Sequence, residues 1–221
     1  MNIMIFSKDI NSKNIILVSG GDASIPKLEQ SLNYKLVIAA DSGVDNCLKL
    51  GLIPDLVIGD LDSISNDSLN FIKSHKIKIF KYPVDKDMTD TELVLFYIQN
   101  NCPTDTTLYI FGFNGSRLDH SLINILLLDR YSKFFKIKLI NDNNIIQLIE
   151  KKMIFPKDNY YYSLVPISND GIVVSLIGFK FPLNSKKIEF SSSLAISNKI
   201  IDKEAVIYLH SGCGILIRSF E

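Results

Sequence analysis

The sequence predicts an α/β protein whose mostly parallel, doubly covered, Rossmann-like sheet is followed by a smaller all-β domain. Three observations carry that expectation. Short apolar runs alternate with helical patterns from residue 15 to residue 140. Gly, Asp and Ser gather where those runs stop. Beyond about Asn143 the pattern changes to short alternating runs broken by Pro, Gly, Asn and Ser. The expected division is therefore 1–142 for the α/β domain and 143–221 for the all-β domain.

In chain order, residues 15–18, 35–40, 56–58, 77–80, 108–111 and 136–140 read as buried strands, being short apolar runs bounded by polar or turn residues. Helices are expected over 24–32, 44–50, 67–74, 90–99 and 119–131. The second ends at Gly51, the residue type best suited to the left-handed position after a helix. The fourth opens on Thr89 and Glu92 at capping-box spacing, with acids in the first turn complementing the helix dipole. In the last part, residues 160–165, 172–177, 205–209 and 214–217 alternate as half-buried strands do. Alternating strand and helix imply right-handed crossovers and a parallel sheet, and such sheets bind ligands at the carboxyl ends of their strands. The residues expected there are Gly20-Gly21-Asp22, Asp41-Ser42-Gly43, Gly59-Asp60-Leu61-Asp62-Ser63 and 112–117.

Composition narrows the function. Lys plus Arg equals Asp plus Glu at 24 each, which removes the basic field that a nucleic-acid binder uses to gather phosphates. No run approaches the roughly 18 apolar residues of a membrane span, and the start carries no signal-peptide pattern. Cys47, Cys102 and Cys213 are odd in number and lack a C-x-x-C spacing, so neither a disulfide framework nor a zinc site is indicated. A cytoplasmic protein without nucleic-acid or membrane partners is expected.

The acids carry the chemistry. Asp60 and Asp62 stand at i and i+2, which along an extended backbone points both carboxylates to one side. Two like charges roughly 4 Å apart repel by about 4 kcal/mol at an effective dielectric of 20, so such a pair wants a cation or a proton. Hard carboxylate oxygens suit Mg²⁺, which leaves positions for water and phosphate. The competing account is a turn in which Asp and Ser cap the following helix. A second cluster, Asp85-Lys86-Asp87-Met88-Thr89-Asp90-Thr91-Glu92, contains more acid than a helix cap explains. A third segment, Gly112-Phe113-Asn114-Gly115-Ser116-Arg117-Leu118-Asp119-His120, offers a Gly-containing loop at a helix start and an Arg whose planar fork matches phosphate. An ordinary strand-to-helix turn capped by Ser116 or Asp119 is the structural alternative. His75 and His210 are read as structural. Neither a G-x-x-x-x-G-K-[ST] loop nor a G-x-G-x-x-G fingerprint is present, and no nucleophile with an adjacent base stands out.

Taken together, Ala39-Ala40-Asp41-Ser42-Gly43, Leu50-Gly51-Leu52-Ile53-Pro54-Asp55 and Ile58-Gly59-Asp60-Leu61-Asp62-Ser63 closely resemble the thiamine pyrophosphokinase family. The later blocks follow in family order: 85–92, then Gly115-x-Arg117-x-Asp119-His120 with Asn124, then Ser197-Asn198. The resemblance implies transfer of the β,γ-pyrophosphoryl group of ATP to the hydroxyethyl oxygen of thiamine, giving thiamine diphosphate and AMP. It implies an α/β domain, a β-sandwich, and a homodimer with active sites at the subunit interface. It also implies that Asp41, Asp60, Asp62 and Asp90 surround Mg²⁺ and the triphosphate, with Asp60, Asp62 and Asp90 catalytic. Asp41, Asp87, Arg117, Asp119, His120 and Asn124 then lie on the nucleotide side, and Ser197 and Asn198 meet thiamine. Ser116 stands where the family usually has Gly, Ala195-Ile196 precede Ser197 where smaller residues are frequent, and the chain has no Trp to stack on thiamine. The other functions weighed are a metal-dependent nucleotidyl- or glycosyltransferase and a non-catalytic nucleotide- or thiamine-binding module.

Overall fold

The structure, a computed structural model, describes residues 14–24, 34–82 and 87–220. The helix expected over 24–32, Ser24 apart, and the acidic residue Asp85 with Lys86 lie outside the described residues. The chain divides into two compact units, Met1–Asp142 and Asn143–Glu221.

The first unit is α/β. Its described strands are β1 (Asn14–Val18), β2 (Leu36–Ala40), β3 (Leu56–Gly59), β4 (Lys78–Lys81), β5 (Thr107–Phe111) and β6 (Lys136–Ile140). Its described helices are α1 (Gly43–Lys49), α2 (Asn66–Ser74), α3 (Asp90–Asn101) and α4 (Leu118–Tyr131). Within the unit the strand order is β6-β5-β1-β2-β3-β4, and every pairing is parallel. Strands with the sequences NIILV, LVIAA and LVIG are buried almost throughout, as a parallel sheet requires of its centre. At the edge, β4 reads KIFK and is largely exposed; its lysines discourage further strand pairing. Alternation sends Ile16, Val18, Val37, Ala39 and Val57 to one face, where they pack with Val44 and Cys47 of α1 and Ile72 of α2. Their neighbours Ile15, Leu17, Ile38, Leu56 and Ile58 are equally buried, and α3 packs on β2, on β3 and against α4.

The helix starts refine the sequence expectations. Thr89 caps α3 through its side-chain oxygen, which accepts from Glu92 N at 3.2 Å. Glu92 does not complete the box: its carboxylate is buried and bonds Arg130 of α4 at 2.5 Å. A tertiary ion pair has taken the acid that the local motif offered. Ser65 caps α2 by accepting from Ser68 N, so capping does not account for Asp60 and Asp62. Neither Ser116 nor Asp119 caps α4, whose N-cap residue is Arg117.

The second unit is all β. Its strands are β7 (Asn144–Leu148), β8 (Lys152–Pro156), β9 (Tyr161–Pro166), β10 (Ile172–Ile177), β11 (Leu183–Ile188), β12 (Asn198–Lys199), β13 (Glu204–Gly212) and β14 (Gly214–Ser219). They form two antiparallel layers ordered β12-β9-β14-β7 and β11-β10-β13-β8. Tyr162, Leu164, Ile172, Val174, Ile207 and Leu216 form the centre of the sandwich core. Sequence pattern marks β9, β10, β13 and β14 of this unit but does not single out β7 or β8, and it gives no sign of β11 and β12. The first, LNSKKI, is exposed at four of its six positions, and the second is only two residues long. Neither carries the apolar alternation of a half-buried strand. No helix among the described residues is long and apolar enough to cross a membrane.

Candidate active site

Strand order locates the site. From β1 the sheet grows in one direction through β2, β3 and β4, then resumes on the other side of β1 with β5 and β6. The order reverses at the β1/β5 boundary, where the loops leaving the two strands must part and open a crevice. A cavity of about 340 Å³ lies there, walled by the turn 19–21 after β1, Asp41 and Ser42 after β2, the loop 112–117 after β5, and Thr89, Asp90 and Thr91 at the start of α3. The loops touch closely. Ser19 N, Gly21 N and Asp22 N donate to the carbonyls of Phe111, Gly112 and Asn114 at 2.8, 3.0 and 2.6 Å. Gly112 has φ of 67°, and a Cβ there would collide with the Ser19 carbonyl, so only glycine allows this approach. Ser19 Oγ and Thr91 Oγ1, 2.8 Å apart and buried, pin the start of α3 to the end of β1.

Three acids converge beside this crevice. Asp41, Asp60 and Asp62 each present a carboxylate oxygen, all within 4.8 Å of one another. The backbone route differs from the extended one expected. Leu61 has φ of 68°, its N–H donates to Asp41 Oδ1 at 2.9 Å, and Asp62 N donates to Asp60 Oδ1 at 3.2 Å. The segment therefore turns, and Asp41 captures the turn; the carboxylates still meet. Asp41 itself is buried with φ of 46°. Burial pushes its carboxyl above the usual carboxylate range, and the charges of Asp90 and Asp60 push the same way against the backbone N–H bonds from Ser42 and Leu61. Asp90 thus acts electrostatically on the cluster from the first residue of α3.

Arg117, His120 and Asn124 line the same cavity. Arg117 is exposed and holds Asp119 with both arms of its fork, Nε to Oδ1 at 3.1 Å and Nη2 to Oδ2 at 2.6 Å. The hydrogen bonds from Arg117 hold the Asp119 carboxyl well below its usual range. Asn124 is buried, and its Nδ2 donates to Phe113 O at 2.8 Å, bracing the β5 loop from α4. Asp87 is exposed and is not part of the cavity wall. Among the buried polar residues that sequence reading missed are Ser19 and Ser121, which line the cavity, and Asn46, on the inner side of α1. The available signal for Asn46 was a single Asn within an apolar helix face.

In the second unit Ser197 is exposed, has φ of 59°, and donates its N–H to Ser163 Oγ at 3.0 Å. Asn198 is buried, with its side chain taken up by the backbone: Nδ2 donates to Phe181 O at 2.8 Å, and Oδ1 accepts from Phe181 N at 3.0 Å. His75 stacks on Phe71 and His210 bonds Ser175.

A parallel α/β unit with a polar cavity at its strand reversal, beside three clustered acids, has the architecture of α/β proteins whose ligand sites lie at strand ends. The family model for the thiamin pyrophosphokinase catalytic domain matches residues 29–140, and that for the thiamin pyrophosphokinase vitamin B1 binding domain matches residues 147–216. This chain belongs to the thiamine pyrophosphokinase family. It is 35% identical over 219 residues to the thiamine pyrophosphokinase of Bacillus subtilis (strain 168), covering 94% of this chain and 99% of the relative. The crystal structure of thiamine pyrophosphokinase from Bacillus subtilis matches with a TM-score of 0.84 at 33% identity, covering 95% of this chain and all of that one, or 100%. The thiamin pyrophosphokinase structure from Geobacillus thermodenitrificans matches with a TM-score of 0.80 at 26% identity, covering 94% and 98%.

Proposed function

We propose that this chain is a thiamine diphosphokinase, moving the β,γ-pyrophosphoryl group of ATP to the hydroxyethyl oxygen of thiamine and releasing AMP. The observation that carries the reading is the convergence of Asp41, Asp60 and Asp62 beside the strand-reversal crevice, in a chain of this family. The donor set suits Mg²⁺: Asp41, Asp60 and Asp62 bring hard carboxylate oxygens together. These three would hold the ion, with Asp90, the fourth acid expected there, acting on Asp41 through its charge. When bound, the ion supplies neutralisation of the charge on the phosphates.

The protein's own residues orient and bind. The alcohol oxygen forms a bond to the β-phosphorus while the bond from that phosphorus to the α,β-bridging oxygen breaks, its electron pair leaving with AMP. Positioning and charge neutralisation carry such a transfer. Asp62, the most exposed of the three clustered acids, steers or accepts the alcohol proton. Arg117 exchanges Asp119 for phosphate oxygens, which its planar fork also fits. His120 and Asn124 form the nucleotide side with Asp119, and Asp87 contributes to it from outside the cavity wall. Ser197 presents thiamine contacts from a left-handed backbone, while Asn198 fixes that segment through Phe181.

The finer architecture belongs to the same reading: a Rossmann-like sheet covered on both faces as the nucleotide-binding catalytic domain over 1–142, and the sandwich over 143–221 as the thiamine-binding domain. So does a homodimer with active sites at the subunit interface. Leu118, Leu122 and Leu126 favour it, being exposed at helical spacing along α4. Three free cysteines favour a cytoplasmic location.

Incubating the pure protein with ATP, Mg²⁺ and thiamine tests the proposal. Thiamine diphosphate and AMP are the expected products; ADP would redirect attack to the γ-phosphorus and overturn the assignment.

A further inference from the structure

We propose that Asn46 is a positioning residue for the nucleotide: it sets the turn 19–21 in the conformation that ATP meets. The proposal rests on the ATP reading above and deepens it.

Asn46 lies within α1 at 4% exposure, between the buried residues Val44 and Cys47. A buried amide is costly unless its hydrogens find acceptors. Asn46 Nδ2 donates one hydrogen to Ser19 O at 2.7 Å and the other to Gly21 O at 2.6 Å. A single side chain therefore brackets Gly20 from both sides. The N–H groups of the same turn go elsewhere, to the β5 loop through Phe111, Gly112 and Asn114. The turn is stitched to β5 by its donors and to α1 by its acceptors. Three elements meet here, since a Cβ at Gly112 would stand 3.2 Å from Asn46 Nδ2.

The consequence concerns charge. Ser19 and Gly21 wall the cavity, and their carbonyl oxygens carry the negative ends of peptide dipoles. Asn46, which is not part of the wall, engages both oxygens and so occupies the groups that would otherwise oppose an anion. Pre-setting the turn also spares the ligand the cost of ordering it. β1 has ended at Val18, so the Ser19 and Gly21 carbonyls lie beyond the strand and take Asn46 as partner.

Asn46→Ala removes both donors. Asn46→Asp keeps the size but sets a carboxylate against two carbonyls. Ile72→Val in the α2 core serves as a control for general destabilisation. Wild type and variants are compared by circular dichroism, by kinetics with ATP and thiamine varied separately, and by calorimetric titration with Mg²⁺-ATP alone. In the Asn46 variants the KM and Kd for ATP should rise roughly tenfold or more, with the KM for thiamine held within about twofold. The Ile72→Val control should leave the KM for ATP at the wild-type value. An unchanged ATP affinity in a folded Asn46 variant, or an equal rise in both KM values, overturns the proposal. If neither variant folds, Asn46→Ser, which keeps one donor on a smaller side chain, is titrated with Mg²⁺-ATP in their place: a raised Kd supports the proposal and an unchanged Kd refutes it. If wild type binds Mg²⁺-ATP but makes no thiamine diphosphate, the reaction assignment fails while the affinity results still decide the role of Asn46.

Discussion

Replacing Asp41 by Asn should stabilise the metal-free protein while abolishing activity. Asn is the informative choice because it tolerates the left-handed backbone at φ of 46° and keeps an oxygen for Leu61 N. Each unit-charge pair at the 4.8 Å limit of the cluster repels by ~3.5 kcal/mol at an effective dielectric of 20. Asp60 and Asp62 reach solvent, and screening reduces each pair to about 1 kcal/mol. The substitution loses one acceptor, a cost of about 1 kcal/mol. Because the Asp41 carboxyl is raised, burial and repulsion outweigh its hydrogen bonds, and the net gain should be about 1 kcal/mol, or ~3 °C in Tm. The sign with pH follows from the raised value. The folded state holds this proton more firmly than the unfolded chain, so the stability that Asp41 contributes is full below the ordinary carboxylate pKa and lost as pH rises through the folded one. The advantage of Asn should therefore be present at neutral pH and vanish in acid. Thermal melts in EDTA at neutral and acidic pH, then with Mg²⁺, measure both terms. A variant melting below wild type at neutral pH in EDTA would refute the electrostatic reasoning. One that keeps the full Mg²⁺-induced rise in Tm would remove Asp41 from the metal set.

Three further outcomes follow from the site and its supports. Asp62→Asn should lower kcat about 100-fold or more with an unchanged circular dichroism spectrum; near-normal turnover in a folded variant would end its assigned role. Arg117→Lys keeps the charge but loses the fork, so the KM for ATP should rise by roughly tenfold, read from initial rates, whereas an unchanged KM would mean that planarity is irrelevant there. Thr89→Ala should cost about 1 kcal/mol in urea denaturation by removing the α3 cap, and an unchanged midpoint would show that the 3.2 Å bond to Glu92 N carries no stability.

Much of the α/β unit was legible because its strands are buried on both faces and read as unbroken apolar runs, such as LVIAA in β2. The strand-end acids were legible for a related reason: Asp41 and Asp60 follow directly on β2 and β3, where a buried run has to stop. Edge elements were harder. β11 exposes most of its side chains, so no apolar alternation marks it, and only its pairing with β10 makes it a strand.

The sequence by itself determined which residues are acidic, where strands give way to turns, and to which family the order of motifs points. Tertiary structure decided everything that depends on residues far apart in the chain. It turned the backbone at Leu61 through its N–H bond to Asp41, diverted Glu92 from a local cap to Arg130, and drew Asn46 across to Ser19 and Gly21. The physical reason is common to all three. A polar group leaving water takes whichever partner the packed chain brings within hydrogen-bond reach, and sequence spacing records only its near neighbours.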